Sequence, residues 1–272
     1  MSVLFEDAVL IADMDDTLLD TQKHFSQSNL DAIALFRSMG GRFTVATGRS
    51  IPSLFKYQDV FTVDMPMILC NGALIYDNSR DLILWERTLP AHTHQYVKQI
   101  LHRFPDVCIE ILTGRCMDVL SITPMVQDYL RGEQVPFREI TPEEMPVSGW
   151  YKILVALNDQ VLEPFMQFLA TNPFPDVEIV FSHQYFCEIL PKQVNKATGL
   201  ERWKDLLGES APKYLYAVGD YYNDVQMLKM ADLGFAVANA PEAVRQQADV
   251  VVGHCTQTPM MDVVQYLISH SA

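Results

Sequence analysis

The sequence is short of positive charge: 20 lysines and arginines stand against 34 aspartates and glutamates in 272 residues, a formal net charge of −14. That balance argues against nucleic acid or an anionic membrane surface as the main partner, because both repel it. A small anionic substrate stays open, since a bound cation reverses the field locally. No apolar run approaches the roughly 18 residues a membrane span needs. The N-terminus lacks a basic segment leading into an apolar one, so no signal peptide is expected. Cys70, Cys108, Cys116, Cys187 and Cys255 are odd in number, scattered, and form no C-x-x-C pair. This argues against a disulfide framework or a zinc site and fits reduced structural thiols in a cytoplasmic protein. There is no internal repeat, low-complexity tract or long charge run. What remains is ordinary globular material, 49% hydrophobic and 20% charged, long enough for one large domain or two modest ones.

The chain is organised around one early stretch. The apolar run Ala8–Ala12 leads straight into Asp13-Met14-Asp15-Asp16-Thr17. An apolar run without alternation reads as a strand buried on both faces. Such a strand cannot carry free carboxylates, so the aspartates belong just past its carboxyl end, where an open α/β sheet holds its ligands. In an extended chain Asp13 and Asp15 share a face. Carboxylates that close repel unless a cation or a proton lies between them.

Further along, the spacing predicts a helix from Gln27 to Met39, a strand at Phe43–Thr47, a third apolar run at Met67–Cys70, and a hairpin from Ala73–Tyr76 and Leu82–Trp85. The pattern shifts near Leu89-Pro90. A helix at His92–Arg103 is followed by strands at Val107–Leu112 and Met117–Leu120, then a polar, proline-bearing stretch from Arg131 to Gly149. A strand at Tyr151–Leu157, a helix at Leu162–Ala170 and strands at Val177–Phe181 and Tyr185–Ile189 complete what reads as a separate α+β domain. After Pro191 the α/β alternation resumes. Helices are expected at Lys196–Leu207, Tyr222–Met230, Glu242–Gln247 and Pro259–Ile268, with strands at Tyr214–Val218, Leu233–Val237 and Asp249–Val252.

Three strand ends then carry polar residues of one character: Asp13 after the first, Thr47-Gly48 after the second, Gly219-Asp220 with Asn223 and Asp224 after a late one. Parallel strands bring all three to one sheet edge. Asp13, Asp15 and Asp220 offer hard oxygens, which suit Mg²⁺. Thr47 offers a hydroxyl, Gly48 an approachable N–H, and Lys196, following Asn195 at a helix start, a positive charge. These parts suit phosphoryl transfer. Singly, each has a plainer reading: a helix cap, a turn, a solvated lysine, an Asx turn. His92, His94, His183 and His254 have no ligand-like spacing and read as surface or cap residues. Tyr221 and Tyr222 read as packing ahead of the alternative that they line the entrance, and Met260-Met261 as terminal-helix core.

Asp13-Met-Asp15-Asp-Thr17, Thr47-Gly48-Arg49, Lys196 and Gly219-Asp220-x-x-Asn223-Asp224 resemble the four motifs of the haloacid dehalogenase (HAD) superfamily. Their order and spacing resemble its Cof-type phosphatases, which carry a large α/β cap between the second and third motifs. Asn71-Gly72-Ala73 and Glu188–Pro191 leading to Asn195-Lys196 extend the likeness. The resemblance implies an α/β fold: a Rossmann-like parallel-sheet core of residues 1–87 and 190–272, with an inserted α+β cap domain at 88–189. It implies Asp13 as nucleophile forming an aspartyl-phosphate, and Asp15 as the acid and then the base, ligating Mg²⁺ through its backbone carbonyl. Thr47, Gly48, Lys196 and Asn223 would hold the phosphate and Asp220 would be a further metal ligand. Asp224 would order the site, and Asn71 would touch substrate. Asp16 stands where the family most often has glycine. Aspartate tolerates left-handed backbone, so the turn is expected to survive, with the extra charge either pointing away or helping the metal. Lys196 is followed by Ala-Thr-Gly199 where glycine more often comes directly.

The expected activity is Mg²⁺-dependent hydrolysis of small phosphorylated metabolites (phosphosugars, nucleotides or cofactor precursors) by a monomer or weak homo-oligomer. Two alternatives stay open: a phosphotransferase or phosphomutase using the same intermediate, and a non-catalytic sugar-phosphate-binding regulator.

Overall fold

A computed structural model describes residues 4–270 except Arg115, Met125, Asp128, Tyr129, residues 131–134 and Gln184. The side chains of Ser182 and His183, and the start of the polar stretch at Arg131, also lie outside the described residues. In chain order the strands are β1 Ala8–Ala12, β2 Arg42–Val45, β3 Met67–Leu69, β4 Leu74–Asp77, β5 Leu82–Glu86, β6 Cys108–Thr113 and β7 Cys116–Leu120. They continue as β8 Phe137–Glu139, β9 Trp150–Ala156, β10 Val177–His183, β11 Phe186–Pro191, β12 Tyr214–Gly219, β13 Leu233–Val237 and β14 Val250–Val252. Two units emerge: Met1–Gly48 with Asp59–Trp85 and Asn195–Ala272, and Arg49–Gln58 with Glu86–Val194.

The first unit is built on a parallel five-stranded sheet of order β14-β13-β12-β1-β2. Every residue of β1 is buried, as a strand covered on both faces requires. Its side chains alternate between two layers. Val9 and Ile11 join Leu200, Trp203, Met227 and Leu228 from the helices Lys196–Leu207 and Val225–Met230. The helices Gln27–Ser38 and Pro259–His270 bring Phe36 beside Tyr216 and Tyr266 beside Phe235. Parallel strands need crossovers: Gln27–Ser38 supplies the one from β1 to β2 and Val225–Met230 the one from β12 to β13. Ala46 bridges to Ile68 and so ties the sheet edge to a second, three-stranded sheet β3-β4-β5.

The second unit carries a six-stranded sheet of order β10-β11-β9-β6-β7-β8, antiparallel except where β7 runs with β8. The helices Thr93–Arg103 and Asp159–Thr171 bury Val97, Ile100 and Phe165 against Ile109, Ile111, Ile153 and Ile189 of one face. Glu110, Lys152 and Glu188 are buried polar residues of the same sheet, and Lys152 pairs with Glu188 at 2.9 Å.

Some elements depart from the sequence reading. The expected helix at Tyr222 begins only at Val225, because the Asp224 carboxylate takes the backbone N–H groups of Asp220 and Tyr221 and holds those residues in a turn. Tyr221 and Tyr222 are not core residues: they are 48% and 57% exposed, their rings edge to face with centroids 5.0 Å apart. β8 lies within the polar stretch, and all three of its residues are exposed, so no apolar pattern marked it. The structure also adds a short helix, Ile51–Leu54, with Pro52 in its first turn. All five cysteines are free thiols. Met260 is fully buried in the terminal helix. Among the described residues no helix is long and apolar enough to cross a membrane.

Candidate active site

β1 sits between β12 and β2, with Ala12 level with Val218 and Val45. The carboxyl ends of the three strands therefore share one edge. Asp13 continues β1 by donating its N–H to the carbonyl of Val218 at 2.9 Å, and Ala46 donates to the carbonyl of Ala12 at 3.0 Å. The chain does not stay extended beyond Asp13. Asp16 adopts a left-handed φ of 58° and the Leu19 N–H closes the turn on the carbonyl of Met14. The turn thus survives with aspartate in place of glycine.

Lys196 reaches the same point from its own helix. Asn195 caps that helix, accepting from the Thr198 N–H at 2.9 Å while Thr198 Oγ1 accepts from the Asn195 N–H. The helix start is pressed against Gly72: a Cβ there, at φ 99°, would lie 2.1 Å from the Asn195 carbonyl oxygen. A second glycine, Gly199, meets the same backbone. So two side-chain-free positions let the helix approach closely enough for Lys196 to span the site. Its amine is fully buried and donates to Asp13 and, at 2.6 Å, to Asp224.

Asp13, Asp220 and Asp224 each bring a carboxylate oxygen within 4.8 Å of the others. Three carboxylates around one ammonium leave an excess of negative charge. Burial raises the Asp13 carboxyl well above the usual range; Lys196 opposes the rise, and Asp224, Asp220 and Asp15 add to it. Burial and then Asp224 push Asp220 up to about 7. For Lys196, burial favours the neutral amine, but Asp13 and Asp224 outweigh it and hold the lysine protonated. A close group of hard oxygens with unrelieved repulsion fits a divalent cation such as Mg²⁺. Both Asp224 oxygens are already engaged, one by Lys196 and one by the Asp220 and Tyr221 N–H groups.

The phosphate-side residues gather on the neighbouring turn. Thr47 is buried, its N–H donating to the Ile68 carbonyl and its carbonyl accepting from the Asn71 N–H at 3.0 Å. A Cβ on Gly48 would meet Asn71 Oδ1 at 3.1 Å. Asn71 is itself left-handed, at φ 55°, and accepts from Asn223 Nδ2 at 3.2 Å. Asn223 therefore stands beside Asn71 and is exposed.

Asp15 is placed otherwise than its spacing suggested. Its carboxylate is not grouped with Asp13 and Asp220; it pairs with Lys23 at 3.1 Å, and Lys23 also reaches Asp16 at 3.3 Å. Three residues at this edge had no assigned part in the sequence reading. Thr17 Oγ1 donates to Asp220 at 3.2 Å. Asn239, just past β13, donates to the Asp16 carbonyl at 2.7 Å and accepts from the Cys255 N–H. Lys23 carried one signal: it is the only lysine or arginine before Arg37, among seven acidic residues.

Known proteins resemble this chain along nearly its whole length. A family model described as haloacid dehalogenase-like hydrolase matches residues 10–263. The chain is 26% identical over 281 residues to the pyridoxal phosphate phosphatase YbhA of Escherichia coli, covering 96% of this chain and 98% of that one. It is 27% identical to the 5-amino-6-(5-phospho-D-ribitylamino)uracil phosphatase YcsE of Bacillus subtilis, with 99% of each covered. A crystal structure of a haloacid dehalogenase-like hydrolase from Bacteroides thetaiotaomicron superposes with a TM-score of 0.84 at 22% identity, over 96% of this chain and 99% of that one. The chain belongs to the haloacid dehalogenase-like hydrolases, among the Cof-type phosphatases, and is a phosphoric monoester hydrolase.

Proposed function

We propose that the chain is a Mg²⁺-dependent phosphatase that hydrolyses small phosphorylated metabolites through an aspartyl-phosphate on Asp13. The observation that carries this is the buried ammonium of Lys196 held between Asp13 and Asp224 at the carboxyl edge of a parallel sheet. A nucleophilic carboxylate must approach a phosphate dianion, and like charges oppose that approach. Lys196 lowers the opposition by neutralising Asp13 and the incoming phosphate together. Asp13 and Asp220 would hold the Mg²⁺, with the Asp15 carbonyl; the ion supplies positive charge to the transferring group's oxygens when bound. Asp224, with both oxygens engaged, orients Lys196 and the Asp220 backbone.

The remaining steps belong to side chains. Asp13 attacks phosphorus, and Thr47 with the Gly48 N–H holds the transferred group. Asp15 gives its proton to the leaving oxygen, then takes one from the water that hydrolyses the aspartyl-phosphate. Asn71 and Asn223, bonded to each other, line the phosphate side. The inserted domain, residues 88–189, is the cap that selects the substrate. Relatives named for pyridoxal phosphate and for a phosphorylated ribitylamino-uracil favour a small cofactor-related or sugar-like phosphate monoester. The test is turnover of a panel of phosphorylated metabolites with Mg²⁺ by the wild type and by Asp13→Asn. The reading expects release of inorganic phosphate from the first and none from the second. Full activity in Asp13→Asn refutes the nucleophile, and transfer of phosphate to a sugar hydroxyl instead of water refutes hydrolysis.

A further inference from the structure

The Asp15–Lys23–Asp16 group is not an incidental surface pair. Lys23 is delivered by a built loop. Leu19 and Phe25 bridge antiparallel, Asp20 accepts the N–H groups of Gln22 and His24 at 2.8 Å and 2.9 Å, and Lys23 donates its own N–H to the Asp20 carbonyl. Lys23 adopts φ 63° in that loop, and its amine returns over the Asp15–Asp16 turn at 3.1 Å and 3.3 Å. On the other side of the turn, Asn239 fixes the Asp16 carbonyl. The peptide between Asp15 and Thr17 is thus clamped from two directions, by β13's end and by the loop.

We infer that Lys23 is a positioning residue for the acid–base carboxylate Asp15, with Asp16 as the second arm that holds the ammonium in place. A long carboxylate-bearing turn has rotamer freedom, and a proton donor must be held within hydrogen-bond reach of the oxygen it serves. The ammonium fixes one Asp15 oxygen. Asp16 draws the same ammonium to its own side, so that Lys23 remains beside the turn and its charge is shared between two carboxylates. This gives Asp16 a use that glycine at that position would not have. The inference rests on Asp15 being the acid: as the bond from phosphorus to the leaving oxygen breaks and the Asp13–phosphorus bond forms, the Asp15 proton passes to the departing oxygen.

The test compares two leaving groups. An alkyl phosphate needs that proton; p-nitrophenyl phosphate has a leaving group that departs without one. Lys23→Met should lower kcat/KM, which reports only the steps up to formation of the aspartyl-phosphate, by about ten-fold or more on the alkyl phosphate, with much less loss on p-nitrophenyl phosphate. Lys23→Arg should restore most of the loss, and Asp16→Asn should give a smaller loss of the same selectivity. Equal losses on both substrates overturn the inference and make Lys23 a structural residue or a substrate contact. Asp15→Asn separates the two readings. Leaving-group selectivity in Asp15→Asn but not in Lys23→Met sinks the positioning role alone. No selectivity in Asp15→Asn sinks the acid–base assignment and the inference with it.

Discussion

Replacing Lys196 by methionine separates the structural cost of the site from its chemistry. The lysine amine is fully buried and bonded to two buried carboxylates, Asp13 and, at 2.6 Å, Asp224. Methionine keeps the apolar stem and removes the charge. Two carboxylates then face each other, with Asp220 close by, and the cation between them is gone. Breaking a buried pair in this way costs about 3–5 kcal/mol. At roughly 2–4 °C per kcal/mol for a domain of this class, Tm falls by about 6–20 °C near neutral pH. The sign with pH follows from burial, which raises Asp13 even with the lysine present. An acid whose folded pKa is raised gives its full stability below its unfolded pKa and loses it as pH rises through the folded one. The deficit of Lys196→Met therefore grows as pH rises and shrinks on acidification. Adding Asp224→Asn removes one orphaned charge and recovers part of the stability, while phosphatase activity stays lost. Thermal denaturation by circular dichroism across mildly acidic to neutral pH measures all three. A loss under about 1 kcal/mol, or one that does not change with pH, would refute the claim that Lys196 neutralises buried carboxylates.

Other perturbations test other parts of the account. Glu110 in the second unit is pushed up from 4.5 to about 7, first by burial and then by Glu188, against the pull of Lys152. It contributes stability at acidic pH that is lost as pH rises through about 7, and the shift is worth about 3 kcal/mol at most. Glu110→Gln should flatten that dependence and stabilise the alkaline side, as read from urea midpoints; an unchanged pH slope counts against it. Gly72→Ala would force a Cβ to 2.1 Å from the Asn195 carbonyl at φ 99°. It should displace the Lys196 helix start, lower Tm and lower kcat together, and a wild-type kcat would contradict the close-approach argument. Mg²⁺ should raise the Tm of the wild type with increasing concentration, following binding to the folded state alone. That rise should be much smaller in Asp220→Asn, and an identical rise in both would remove Asp220 from the metal site.

The parts of the fold readable in advance were those whose signal is local. Ala8–Ala12 announced itself as an unbroken apolar run ending in acid, and it is the strand beside β12 and β2. Lys196–Leu207 was legible from its Asn195 cap and apolar period, and its bounds match. β8 was not, because an exposed edge strand has no buried face to impose a pattern. The delayed start of the helix at Val225 depends on Asp224 accepting two N–H groups at the strand end, a choice that helical periodicity does not record. At the site, shared strand ends foretold that Asp13, Asp220 and Asp224 would meet. Spacing alone placed Asp15's side chain with them, and in the structure its carboxylate pairs with Lys23 instead. That pairing is made by the loop from Leu19 to Phe25 and was visible in the sequence only as a lone cation in an acidic segment.

The central claim is that Asp13 becomes phosphorylated during turnover. Rapid acid quench of the enzyme with Mg²⁺ and a phosphate-labelled substrate, followed by peptide mapping, addresses it directly. The account predicts an acid-stable, hydroxylamine-sensitive label on the peptide holding Asp13, absent in Asp13→Asn. A label on another residue, or turnover by Asp13→Asn at the wild-type rate with no label at all, would contradict it.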